Sequence, residues 1–142
     1  MYTQNVKKPL SGYQEIDHTA DWALSIWAPT LAELFELAVK GMYELSATNF
    51  ATGTSVECQL DLEALDQETL LVAFLSEVLY LNEDEGIGIY DVKVNIDDTK
   101  LRASFYTAPI IAQDKEIKAV TFHDMKIISG ARGYEVTVVF DV

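Results

Sequence analysis

The chain has a single cysteine, Cys58, so no disulfide can form within it. A reducing compartment, the cytoplasm, is therefore the expectation. No apolar run approaches the roughly 18 residues that a membrane span requires. The N-terminus also lacks the apolar core of a secretory signal. Cations are scarce: 10 Lys and Arg stand against 23 Asp and Glu, a net charge of −13. Non-specific nucleic-acid affinity comes from Lys and Arg neutralising phosphates, so strong direct binding of RNA or DNA is not expected. A basic protein partner, a bound cation and plain solubility remain as readings of the charge. Histidine is scarce as well, with only His18 and His123. That argues against a stand-alone metal-dependent hydrolase, which needs a nucleophile, a base and more imidazoles.

What is present is ordinary globular material. With 142 residues, 49 % of them hydrophobic, the chain is long enough for one domain with a core of its own. Residues 1–12, with Lys7, Lys8, Pro9 and Gly12, read as a flexible N-terminal arm, leaving 13–142 as the domain.

Residues 13–17 and 22–27 read as short strands, the second stopped by Pro29. Thr30 and Glu33 have capping-box spacing, and Leu31, Leu34, Phe35, Ala38, Met42 and Leu45 follow at helical period. Val56, Cys58, Leu60 and Leu62 alternate with polar residues, as in a half-buried strand. A second helix is expected from about Asp66 to Leu81, ended by the acidic run Asn82-Glu83-Asp84-Glu85-Gly86. Four strand-like segments follow, at 88–96, 101–107, 117–128 and 134–142, with turn residues at Asp97-Asp98 and 130–133. Helices early and consecutive strands late argue a two-layer α+β fold, two helices on a largely antiparallel sheet.

Three polar islands interrupt this pattern. Asp17-His18-Thr19-Ala20-Asp21 offers carboxylates and an imidazole, ligands suited to a divalent cation. It reads equally as a turn whose short side chains bond their own backbone. In 117–128 the alternation puts Lys118 and Asp124 on one face with Val120 and Phe122, and His123 on the other. Either that face is solvated or a bulge re-aims a charge. Asp141 falls opposite the apolar face Tyr134, Val136, Val138, Phe140 and Val142, one residue from the terminal carboxylate. Two like charges that close recruit a cation or raise a pKa, unless the terminus frays.

Spacing alone does not join the islands. Residues 13–21, the Thr-Leu-Ala-Glu-Leu-Phe-Glu opening of the first helix, the run 116–124 and the closing Val139-Phe140-Asp141-Val142 together resemble the archease family, over nearly the whole chain. The resemblance implies a small acidic protein cofactor, not an enzyme, that activates the GTP- and manganese-dependent RNA-splicing ligase of the RtcB type. Such proteins promote transfer of GMP onto the ligase's histidine, and so multiple turnover in tRNA splicing and RNA repair. A role as a chaperone or modulator of RNA-modifying enzymes is the family's alternative. The resemblance also implies a divalent-metal site (Ca²⁺, Mg²⁺ or Mn²⁺) at one tip. Asp21 and Asp141 match its ligands, Asp17 and Asp124 its further ligands or their supports, and Lys118 the family's functional lysine. His123 occupies a position that tolerates other residues. Residues 108–115 depart from the family, being shorter and more apolar than its polar segment.

Overall fold

The computed structural model describes residues 9–16, 22–51 and 55–142. Helix α1 (Leu31–Leu45) starts where the sequence places it: Thr30 is extended and its hydroxyl accepts the Glu33 N–H at 3.2 Å. The reciprocal half of the capping box is not made, because one Glu33 carboxylate oxygen is buried without a hydrogen-bond partner. Helix α2 (Gln67–Tyr80) is capped by Asp66, whose carboxylate accepts the Thr69 N–H at 2.7 Å. Hydrogen bonding with Thr69, through its side chain first and its backbone N–H second, holds the Asp66 carboxyl below the usual carboxylate range. The acidic run ends α2 as a single π-helical turn (Leu81–Glu85), closed by Gly86 at φ 66°.

The described residues include nine strands. In the first sheet β1 (Gly12–Ile16), β2 (Trp22–Ala28), β9 (Gly133–Asp141) and β7 (Ala119–Thr121) lie in that order, and β8 (Ile128–Gly130) also pairs with β9. In the second, β6 (Lys100–Ala112) pairs with β4 (Val56–Glu63), β5 (Ile87–Asp97) and the two-residue β3 (Asn49–Phe50). Every pairing is antiparallel. The α+β class and the antiparallel strands follow the sequence reading, with the strands divided between two sheets. Helix α1 packs on β1, β2 and β9 of one sheet and β5 of the other, and α2 on β7 and β4. Both sheets and both helices therefore bury their apolar faces in one core, with Phe35 stacked on Phe74 at 6.1 Å.

Two backbone features depart from simple alternation. The expected single strand over 117–128 is two short strands, β7 and β8, separated by a turn in which Met125 N–H donates to Phe122 C=O at 3.0 Å. Asp124 sits in the turn at φ 53°, a left-handed conformation that Asp tolerates better than a β-branched residue. Strand β5 breaks register with β6 between Tyr90 and Lys93, where Asp91 adopts φ 50°. Beyond the break Val94 N–H, on the unpaired edge of β5, donates to the Glu36 carboxylate of α1 at 2.8 Å. Of the expected N-terminal arm, residues 1–8 lie outside the described residues, and Pro9 C=O accepts the Trp27 indole N–H at 2.8 Å.

Candidate functional site

The end of the first sheet is built by three strands. β9 finishes at Asp141, which pairs with Ala119 at the start of β7, and Lys118 N–H donates to Asp141 C=O at 2.8 Å. On the other side of β9, Trp22 pairs with Phe140. At its far end β1 finishes at Ile16, paired with Ala23. The chain thus leaves β1 and enters β2 at the same end of the sheet as Asp141. The segment between them, 17–21, with Asp17, His18 and Asp21, lies outside the described residues.

Lys118 and Asp141 are both exposed, and among the described residues neither side chain makes an ion pair. Their closeness is a consequence of strand pairing, since 22 residues of sequence separate Ala119 from its partner Asp141. A third charge stands nearby: the Lys115 ammonium lies 5.4 Å above the Trp22 ring. Lys115 is delivered by a connection pinned to the end of α1. There Asp114 N–H donates to Ser46 C=O at 3.0 Å and Gln113 Nε2 to Thr48 Oγ1 at 2.9 Å. Ser46 itself is buried, its hydroxyl bonded to Met42 C=O, Tyr43 C=O and Thr48 Oγ1.

Asp124 is placed elsewhere. Its carboxylate lies 3.2 Å from His123 Nε2 on the exposed turn between β7 and β8. It lines a shallow depression of about 220 Å³ with Ser25, Lys126, Glu135 and Thr137. Glu135 and Thr137 lie six and four residues before Asp141 on β9, roughly 13–20 Å back at a strand's rise. The structure therefore brings Lys118 and Asp141 together and puts Asp124 with His123 over the middle of the sheet.

A hard divalent cation needs several oxygens around it. Asp141 offers an exposed carboxylate of the right chemistry. Among the described residues no three His, Cys, Asp or Glu side chains gather around a common point. Asp17 and Asp21, the further donors that the sequence offers, lie outside the described residues.

One positioning residue escaped the sequence reading. The Glu68 carboxylate, in the first turn of α2, accepts the Ile127 N–H at 2.9 Å and so ties the His123–Asp124 segment to the helix. Carboxylates in a first helical turn read as favourable to the helix dipole, which gives no hint of such a partner. Glu68→Ala leaves a part-buried N–H unsatisfied and is expected to cost about 1–3 kcal/mol. Urea unfolding measures the loss, and amide exchange should accelerate at Ile127 and its neighbours. Equal exchange in Glu68→Ala and Glu68→Gln would show that the bond does not hold the segment.

The folded arrangement is shared with solved structures. Protein 1598 of Methanobacterium thermoautotrophicum superposes with a TM-score of 0.67 at 24 % identity, covering 92 % of this chain and 99 % of that one. An archease from Thermotoga maritima, described as a possible chaperone, superposes with a TM-score of 0.68 at 23 % identity, covering 99 % and 100 %. These likenesses define the class: a two-helix α+β protein of the archease fold.

Sequence carries the assignment further. The protein named archease of Archaeoglobus fulgidus is 32 % identical over 137 residues, 92 % of this chain and 98 % of that protein. That of Pyrococcus furiosus is 34 % identical over 123 residues, 81 % and 87 %. The archease protein family's sequence profile matches residues 13–142. The chain belongs to the archease family. No helix among its described residues is long and apolar enough to cross a membrane.

Proposed function

We propose that this chain is a metal-binding protein cofactor, without catalytic activity of its own, that activates a GTP-dependent RNA-splicing ligase of the RtcB type. Its action is to promote guanylylation of the ligase, and hence multiple turnover in tRNA splicing and RNA repair. Family membership over residues 13–142 carries this reading. The Lys118–Asp141 neighbourhood supports it, since their backbones are hydrogen-bonded and both residues are exposed at one end of the sheet. A net charge of −13 suits approach to a ligase whose RNA-binding face is basic, since complementary fields speed encounter. The cytoplasm is the proposed place of work, where the free thiol of Cys58 stays reduced.

Each residue then has a definable task. Asp141, with Asp21 and Asp17, would hold the divalent cation, which supplies Lewis-acid stabilisation of phosphate oxygens. Lys118, a compact charge on a flexible stem, contacts a phosphate or an acidic side chain on the partner. Asp124 and His123, on the turn flanking β7, form a second partner-facing element. The family's chaperone reading draws on the same turn, because Phe122 and Ile128 beside it are 58 % and 51 % exposed.

Single-turnover transfer of GMP to the purified ligase separates these readings. Lys118→Ala and Asp141→Asn are each expected to lower the stimulated rate by about ten-fold or more, the cost of losing one well-placed charged contact. Asp141→Asn and Asp21→Asn should also abolish the calorimetric signal of Mn²⁺ or Ca²⁺ binding. Unchanged stimulation by both Lys118→Ala and Asp141→Asn would overturn the cofactor reading. Loss on Phe122→Ser alone would favour the chaperone one.

A further inference from the structure

Away from the sheet end, α1 and the second sheet flank a half-open cavity of about 930 Å³. Four carboxylates line it: Glu33 and Glu36 from α1, Glu57 from β4 and Asp91 from the β5 irregularity. Two ammonium groups, Lys40 and Lys93, face it as well, leaving an excess of negative charge. Its aromatic wall is continuous, Phe50 to Tyr90 at 6.4 Å between ring centres and Tyr90 to Tyr106 at 5.8 Å. Gly88 makes room for that wall: a Cβ there would lie 2.1 Å from a Phe50 ring carbon.

The decisive feature is Glu33. Its expected role was to close the capping box, yet Glu33 lines the cavity, and its Oε2, buried beside the lining, accepts no hydrogen bond. A buried carboxylate oxygen without a donor is costly, so it marks a place where a donor is wanted. Glu36, one turn on, spends its Oε2 on Val94 N–H. Glu57 shares its charge with the Tyr106 hydroxyl, which it holds above the ordinary phenol range.

We propose that this cavity binds an organic cation, an alkylammonium or alkylguanidinium whose charged head reaches Glu33 and whose stem lies along the Phe50–Tyr90–Tyr106 wall. The alternatives fit less well. An anion is repelled by the excess of carboxylates, and a neutral apolar ligand leaves Glu33 without its donor. A bare divalent cation makes no use of the rings, whereas ring faces attract organic cations. The volume lies within the roughly 300–1,000 Å³ of small-molecule sites.

The test uses spermidine as the free cation and the blocked tripeptide acetyl-Ala-Arg-Ala-amide as a stand-in for a partner's side chain, each titrated calorimetrically into the full chain. Saturable one-to-one binding of at least one probe is expected, weakened about ten-fold or more by Glu33→Gln. Tyr90→Leu, which keeps apolar bulk but removes the ring face, should weaken it too. Glu83→Gln removes the same charge from the distant π-helical turn and should leave affinity unchanged; melting curves confirm that each variant folds. Binding of spermidine alone assigns a free small molecule, and binding of the peptide alone assigns a side chain of a protein partner. Heat that never saturates, or equal weakening by Glu33→Gln and Glu83→Gln, would show attraction to the overall charge and overturn the proposal.

Discussion

Gly133→Ala is expected to cost about 3–5 kcal/mol, enough to leave much of the protein unfolded at modest temperature. Gly133 opens β9 immediately after the turn from β8 and adopts φ 111°. Side chains rarely take that conformation, and holding one there costs roughly 1–3 kcal/mol. Space is lacking as well: a Cβ would lie 2.4 Å from Ala28 C=O and 2.7 Å from Pro29 Cα. Both neighbours are backbone and cannot swing aside. Relief would require parting β9 from β2 where Tyr134 pairs with Ala28, at the start of the ladder that ends at Asp141. Gly130 is the internal control, because a Cβ there meets nothing within 4 Å and its φ is not positive. Gly130→Ala should stay within about 1 kcal/mol of the parent. Urea midpoints of the two variants decide the matter, and equal values would contradict this account of the β8–β9 turn.

Tyr43→Phe is the second large effect, and it depends on pH. The Tyr43 ring is buried against Phe50, and its hydroxyl accepts the buried N–H of Ile89 at 3.1 Å. Asn82 completes the arrangement. With its amide nitrogen turned inward it donates to Tyr43 Oη and Ile87 C=O at 2.8 Å and to Val78 C=O at 3.2 Å. The opposite orientation would set its oxygen against two carbonyls. This hydroxyl therefore joins α1, the π-helical turn and β5, and its loss strands a buried N–H, worth about 1–3 kcal/mol at neutral pH.

The alkaline limb carries the second signature. Burial pushes the Tyr43 phenol up to about 12, although the donors from Ile89 and Asn82 pull the other way. Below pH 10 the phenol is neutral in both folded and unfolded chains and contributes no pH dependence. Between about 10 and 12 the unfolded chain releases the proton while the folded chain keeps it, so stability falls as pH rises. Two units correspond to a loss of roughly 2–3 kcal/mol, complete above the folded value. Tyr43→Phe should flatten that decline. Part of it will persist through Tyr13, also raised to about 12 by burial and by its hydrogen bond to Glu44. Unfolding free energies measured from pH 8 to 12 test this; parallel curves for the parent and Tyr43→Phe would contradict it.

The elements most legible in the sequence are those with local causes. Thr30 and Asp66 cap helices whose apolar residues recur at helical spacing, so α1 and α2 could be placed within a residue or two. Strand β4 follows from strict alternation, although Val56 at its start is 57 % exposed. Features with distant causes were hidden. Nothing near Trp22 announces Phe140 as its partner, and so nothing announces two sheets in place of one. Residues 117–128 alternate like one strand, but Asp124 turns left-handed and Glu68 holds Ile127 from a helix 59 residues away. The site behaves likewise. Lys118 and Asp141 were both picked out, yet only the β7–β9 ladder makes them neighbours, and the same ladder leaves Asp124 aside. Capping-box spacing was also read as a closed box, whereas Glu33 faces a cavity that involves strands far along the chain.

The most direct measurement is the number of RNA joints formed per ligase molecule, with ligase limiting and GTP and manganese in excess. Addition of this chain should carry the ligase from about one joint per molecule to many, and Lys118→Ala should return it toward one. A turnover number that stays near one with the folded chain present, or that rises equally with the Lys118→Ala variant, would contradict the assignment of this sheet end as a ligase-activating site.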